Sequence, residues 1–287
     1  MKFVENGQFS CYVEKTLAHK DYYKAYRAGQ LDPPQFCEAM FADSALADVP
    51  GFHEWNIRRI ALTPWDETLP AKKLIGRLID HHLLPKHENM YEGFDAFRKT
   101  VREGYDHGEF FTCVFPEDER LLYALAELKK PRRTFVAGAY YGFLVIWAMR
   151  SIAACGGTIV LSDIDAEVCA LAEQNFRRFG YGNITEVVCA DAVELLRARS
   201  EPIDMLVLDA TGLHDDPRPE MRGKRIYGSL FKAAKRLLAK DALIVIHNME
   251  PEHPDMRELV EELRGIRAIG TNYDTYNGLG AYIPDNK

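Results

Sequence analysis

The run Arg132 to Ile152, RRTFVAGAYYGFLVIWAMRSI, constrains this chain more than any other stretch. Thr134 to Gly138 is short and apolar at successive positions. A strand covered by helices on both faces reads this way, because neither side can carry polar groups. Gly138 and Gly142 bound the next turn, and an apolar helix is expected over 142–154. Strand, glycine turn and helix in succession form the repeating unit of an α/β sheet.

The unit recurs almost to the end of the chain. Strands are expected at Thr134–Gly138, Thr158–Asp163, Ile184–Cys189, Met205–Asp209 and Leu243–His247, and helices at about 142–154, 166–179, 192–199, 222–239 and 254–264. Helical crossovers of this length make the strands parallel. The segment RAIGTNYDTYNGLGAYIP departs from the rhythm. It reads as two strands joined through Asn277-Gly278, a hairpin signal. The expected fold class is therefore α/β: a Rossmann-like, mostly parallel sheet of seven strands with a C-terminal antiparallel hairpin strand.

Before residue 130 the pattern is helical. SCYVEKTLAHKDYYKAYRAGQ, PPQFCEAMFADSAL, LPAKKLIGRLIDHHLL and ENMYEGFDAFRKTVREGY space apolar residues at helical intervals. PEDERLLYALAEL adds a proline at the first helical position and acids in the first turn. We expect a helical cap over 1–110, lying as a lid across the strand ends, and a sheet domain over 111–287. The cap aromatics Tyr22, Tyr23, Tyr26, Trp55, Trp65, Tyr91, Phe94, Tyr105, Phe110 and Phe111 read mostly as core. His81 and His82, adjacent on a helix, point apart and read as surface.

Composition excludes several classes. A net charge of -7 over 287 residues leaves no basic field for nucleic acid or an anionic membrane. No apolar run reaches the roughly 20 residues a spanning helix needs. MKFVENGQFS lacks the apolar core of a signal peptide. The six cysteines include no CxxC pair and read as reduced thiols of a cytoplasmic protein.

In an open parallel sheet, ligands bind at the carboxyl ends of the strands. Those ends carry a consistent set of residues. Strand one leads into Gly138-Ala139-Tyr140-Tyr141-Gly142, a GxxxG spacing rather than the dinucleotide GxGxxG. Asp163 ends strand two, followed by Asp165, which reads as a helix cap. Asp191 and Ala192 follow strand three, and a cap is the competing role of that aspartate. Asp209 ends strand four, and His247-Asn248 ends strand five.

The joint pattern resembles the class I S-adenosylmethionine (SAM)-dependent methyltransferases, most of all the catechol O-methyltransferase-like branch. The resemblance runs from about residue 110 to the end, through TCVFPEDERLLYALAELKKPRRTFVAGAYYG, IVLSDIDAEVCALAEQNFRRFGY, VVCADAVELL, IDMLVLDATG and LLAKDALIVIHNM. It implies SAM as cofactor. Gly138 and Gly142 would flank its methionine part, with Tyr140 and Tyr141 beside the sulfonium. Asp163 would hold the ribose hydroxyls, and Asp191 with Ala192 the adenine.

Three departures bear on function. The family's loop begins with an acid two residues before its first glycine, and here that residue is Val136. The metal-dependent members hold a divalent cation with Asp, Asp and Asn, where this chain has Asp209, His247 and Asn248. Imidazole for carboxylate removes a charge and a hard oxygen, which disfavours magnesium and tolerates a softer ion such as iron, manganese or zinc, so a divalent metal is possible but not favoured. A lysine three residues after the strand-four acid is replaced by Gly212.

The expected activity is methyl transfer from SAM to an oxygen or nitrogen of a small-molecule acceptor, in small-molecule biosynthesis. Asp209, His247 and Asn248 are its catalytic candidates, with His247 or Asp209 as base. The loop TGLHDDPRPEMRGKRIYG would meet the substrate, and Asp215, Asp216, Arg218, Arg222 and Arg225 would suit a zwitterion or carboxylate. A homodimer is compatible with such a cap. Two alternatives stand beside this one. The first is a SAM-using enzyme that releases methylthioadenosine, by aminocarboxypropyl transfer or by cyclisation to azetidine-2-carboxylate. The second is a Rossmann-like binding protein without catalysis, or an NAD(P)-dependent oxidoreductase, which the missing GxGxxG disfavours.

Overall fold

Seven strands form one sheet in the order β3-β2-β1-β4-β5-β7-β6. In this computed structural model, residues 17, 19–46, 68–108, 114, 116–273 and 278–285 are described. Trp55, Trp65, Phe110, Phe111, Asn277 and the opening MKFVENGQFS lie outside them.

The central strand β1 (Arg133–Ala137) pairs in parallel with β2 (Thr158–Asp163) and β4 (Ile203–Leu208). Outward from these lie β3 (Thr185–Cys189) and β5 (Leu238–His247), both parallel to their neighbours. β6 (Ile269–Tyr273) and β7 (Leu279–Ile283) form the terminal hairpin, and β7 runs antiparallel to β5 with His247 opposite Leu279. The strand order reverses between β1 and β4. Their carboxyl ends therefore diverge into a crevice.

Alternating side chains send each strand into two cores. Val136, Met205, Val207, Leu243 and Val245 face one, and Phe135, Ala137, Leu206, Leu208 and Ile246 face the other. The first core is covered by α3 (Thr68–Asp80), α4 (Phe94–Gly104), α5 (Pro116–Lys129), α6 (Met149–Ala154) and α7 (Ala166–Arg178). The second is covered by α8 (Ala192–Ala198), α9 (Ile226–Ala234) and α10 (Arg257–Gly265). The result is a three-layer sandwich, the arrangement a doubly covered parallel sheet requires.

Part of the expected cap, among the described residues, packs on the sheet face. Leu74, Ile75 and Leu78 of α3, and Phe94 and Val101 of α4, are buried in the first core with strand residues. Arg77 of α3 reaches Thr271 Oγ1 of β6 at 2.9 Å. These two helices thicken one face of the sheet. Their apolar stripes are wide enough to demand a full partner surface, which the sheet supplies. Further upstream, α1 (Asp21–Arg27) and α2 (Pro33–Ala42) pack on each other, with the Tyr26 and Phe36 rings stacked 4.0 Å apart.

Two expected helices differ in extent. The stretch 142–154 starts as a 3-10 turn at Val145–Ala148 and becomes α6 only at Met149. Gly142 sits at φ +83°, and this left-handed turn delays the regular helix. The stretch 222–239 shortens to α9 and a 3-10 turn at Lys235–Leu237. At its end, Leu238 pairs with Ile203, so strand pairing claims residues that read as helix.

Candidate active site

Gly138 makes the crevice between β1 and β4. Its φ is +88°, and a Cβ there would lie 2.6 Å from the backbone of Asp209 and Ala210. Any other residue would push the two strands apart. The turn is then tied down from β2. The N–H groups of Gly138 and Ala139 donate to the Ser162 carbonyl at 2.9 and 3.0 Å, and the Tyr140 N–H donates to Asp163 Oδ2 at 3.0 Å. Tyr140 itself holds φ +41°, a conformation that costs a non-glycine residue about 1–3 kcal/mol.

A cleft of about 540 Å³ opens above these strand ends. That volume suits a drug-sized ligand or a nucleoside conjugate. Gly138, Tyr140, Asp163, Asp191, Ala192 and Asp209 line it, together with His247 and Asn248. Six of the eight residues expected at the cofactor, and all three expected at the reaction, thus meet in one cavity. Tyr141 and Gly142 do not line it. Tyr141 is 5% exposed and packs in the core, and a Cβ on Gly142 would meet Phe176 and Tyr105. These two residues form the turn from behind.

Both competing cap roles are present as well. Asp165 accepts from the Glu167 and Val168 N–H groups at 2.8 and 3.1 Å. Asp191 Oδ1 accepts from Val193 and Glu194 at 2.8 and 3.3 Å, capping α8 while the residue lines the cleft. The cap fixes the orientation of that carboxylate. Among the described residues, the large apolar side chains that stand exposed, Ile164 at 57% and Leu213 at 54%, both border the same cleft. Exposed apolar surface gathered at a cavity is what a flat, partly apolar ligand covers.

His247 is buried in the cleft wall. Its Nδ1 lies 2.8 Å from Asp209 Oδ1, and its Nε2 faces Asp118 Oδ2 at 3.7 Å. Burial alone would lower the affinity of the ring for a proton. The Asp209 and Asp118 carboxylates outweigh that effect and raise its pKa to about 9. The ring is an imidazolium at neutral pH, so it is not free to accept a proton there. Asn248, next in sequence, holds φ +54° at the cleft wall.

Asp118 was legible only as a helix-start acid. Its place beside His247 follows from α5 packing across the sheet, a long-range contact with no local pattern. Lys224 was not singled out at all. It lines the cleft, and its Nζ donates to the Ala210 carbonyl at 3.0 Å and to Tyr227 Oη at 2.9 Å. The charged loop is paired both within and beyond itself: Arg218 grips Asp216 through two contacts of 3.0 Å, and Arg225 reaches out to Asp255 at 2.7 Å. Among the described residues, no group of three or more His, Cys, Asp or Glu side chains is arranged to hold a metal ion. Nor is any described helix long and apolar enough to cross a membrane.

Strand order, switch-point crevice and sheet-end carboxylates together define a Rossmann-like fold of the methyltransferase type. Residues 135–249 match the family described as "Methyltransferase domain". The catechol O-methyltransferase of Niastella koreensis is 28% identical over 159 residues, covering 54% of this chain and 66% of that protein. The chain thus spans a little under two thirds of that relative's length. A cofactor-bound protein from MTB aligns with a TM-score of 0.50 at 19% identity, over 74% of this chain and 97% of its own. An O-methyltransferase from Bacillus cereus, solved in complex with SAH, aligns at 17% identity with a TM-score of 0.48, over 74% of this chain and 97% of its own. Residues 135–249 are thus similar to methyltransferase domains, the catechol O-methyltransferase among them, as the sequence motifs at the strand ends led one to expect.

Proposed function

We propose that the protein is a SAM-dependent O-methyltransferase acting on a small molecule. The observation that carries the reading is the single cleft that gathers Gly138, Asp163, Asp191 and Asp209 at the strand ends. The cradle fits the cofactor because Gly138 leaves open the space a Cβ would fill beside Asp209. Bound SAM supplies a methyl group on a cationic sulfur.

The residues of the chain do the rest by position. Asp163 holds the ribose hydroxyls, since a carboxylate accepts two hydrogen bonds at once. Asp191 and Ala192 would hold the adenine, with the exposed Ile164 available beside them as apolar surface. Tyr140, with Gly138, shapes the wall along the methionine part. Asp209 faces the reacting centre, fixed by the His247 imidazolium, and Asn248 supplies an amide at the same wall. A methyl transfer needs its two partners aligned in a dry site, so positioning and charge matching supply most of the acceleration.

The test is to incubate the purified protein with SAM and a panel of phenols and other hydroxylated small molecules, then identify the adenosyl product by mass spectrometry. S-adenosylhomocysteine formed together with a methylated oxygen supports the reading. Methylthioadenosine as the product overturns it.

A further inference from the structure

The most telling group in the cleft is the Lys224 amine, because of how it arrives and what surrounds it. Gly212 and Gly223 form an antiparallel bridge, with N–H to carbonyl distances of 2.9 and 3.1 Å in the two directions. This bridge folds the loop after β4 back on itself and sets Lys224 at the mouth of β4. A Cβ on Gly212 would overlap the Met221 carbonyl. The chain can therefore carry a side chain at position 212 or deliver Lys224 by this route, but not both.

We propose that Lys224 is the proton acceptor for the nucleophilic oxygen of the acceptor, and so a catalytic residue of this site. The inference rests on the O-methyltransferase reading above and adds the identity of the base.

The surroundings weaken the hold of the amine on its proton. Its two hydrogen-bond partners, a carbonyl and a phenol oxygen, carry no charge. Burial lowers the pKa of the amine, and the more distant Asp209 carboxylate opposes that shift only in part. The other titratable groups around it are committed. Tyr227 is buried, stays protonated and donates to the His247 carbonyl at 3.0 Å. His247 is already an imidazolium, and Asp209 is bound to it. Lys224 is left as the base.

The step balances without a further reactant. The acceptor O–H bond breaks, and its proton moves to the lone pair of Nζ. An electron pair of the oxygen forms the bond to the methyl carbon. The carbon–sulfur bond breaks, and its pair stays on the sulfur, which becomes a neutral thioether. The Lys224 ammonium then releases the proton to solvent as products leave.

The experiment has two arms on the full chain. In the first, the lysine side chains are titrated by NMR with S-adenosylhomocysteine bound, and Lys224 is assigned by its loss in K224R. A Lys224 signal titrating at least tenfold more acidic than the other lysines is expected. Titration together with the exposed lysines overturns the proposal, whatever the acceptor. In the second arm, SAM and catechol are assayed across pH. K224M should lower kcat at least 100-fold, leave KM for SAM within threefold and lose the acidic limb of the rate profile. K224M retaining the wild-type limb and rate overturns the proposal. Wild-type protein that binds S-adenosylhomocysteine yet methylates no phenol sinks the oxygen-acceptor reading, and the first arm then decides Lys224 alone.

Discussion

The His247 imidazole binds the Asp209 carboxylate edge on, Nδ1 to Oδ1 at 2.8 Å, with the histidine 3% exposed. This pair makes stability depend on pH in a definite direction. The folded-state pKa of about 9 lies above the ordinary value of 6.5. Below 6.5 the ring is charged in both states, and the pair contributes fully. As pH rises through 9 the folded ring loses its proton, and the contribution disappears. A shift of that size corresponds to roughly 3 kcal/mol. Urea unfolding at pH 6.5 and pH 10 should therefore show a lower midpoint at the higher pH, with the difference much reduced in H247N. A His247 ring that titrates near 6.5 by NMR would sink this account.

Gly138 and Gly156 both hold positive φ, but only Gly138 faces backbone at close range. Gly138→Ala should cost the protein at least about 2 kcal/mol through strain and displacement of Asp209. It should also weaken S-adenosylhomocysteine binding by more than tenfold. Gly156→Ala meets open space, and should cost about 1 kcal/mol with affinity unchanged. Calorimetry and thermal melting separate the two. Equal binding by G138A and wild type would remove Gly138 from the cofactor cradle.

Asp163 and Asp165 lie two residues apart and are expected to differ in kind. Asp163 lines the cleft and accepts the Tyr140 N–H, whereas Asp165 spends its carboxylate on the start of α7. Removing one charge-assisted pair costs about 1.5–3 kcal/mol. Asp163→Asn should thus weaken cofactor binding by about 10- to 100-fold. Asp165→Ala should cost about 1 kcal/mol of stability through the lost cap and leave affinity alone. The reverse pattern in calorimetry would reassign the two roles.

Sheet and cleft wall were legible because their signals are local. Runs such as Thr158–Asp163 and Leu243–His247 are too short and too apolar for anything but covered strands, and their last residues are the ligand-facing ones by geometry alone. The hairpin could be read from its turn, and β7 does run antiparallel to β5. What stayed hidden depends on contacts across the chain. Lys224 sits in a loop of charged residues, and only the Gly212–Gly223 bridge distinguishes it from Arg222 or Arg225. The charge state of His247 depends on Asp118, 129 positions earlier, through a contact of 3.7 Å. The helices before residue 130 were legible as helices. Where they dock was not, since an amphipathic stripe specifies that a partner exists and not which one.

That docking is held by a second buried charge cluster, next in sequence to Asp118. Glu119 is fully buried at the start of α5, and its Oε2 lies 3.1 Å from Arg98 Nε and 3.1 Å from Arg102 Nη2, both on α4. Removing one member of a buried pair leaves the others under-compensated, and costs about 3–5 kcal/mol where solvent cannot reach. The arginine side chains here are 15% and 20% exposed, so about 2–4 kcal/mol is expected for Glu119→Gln. The consequence should reach the cleft, because α5 also carries Asp118 to His247. A loosened first turn would weaken that contact and lower the pKa of the ring toward its ordinary value. Urea unfolding of E119Q, combined with an NMR titration of His247, reads both effects. A large loss of stability with the His247 titration unchanged would show that the α4–α5 clamp and the cleft are energetically independent.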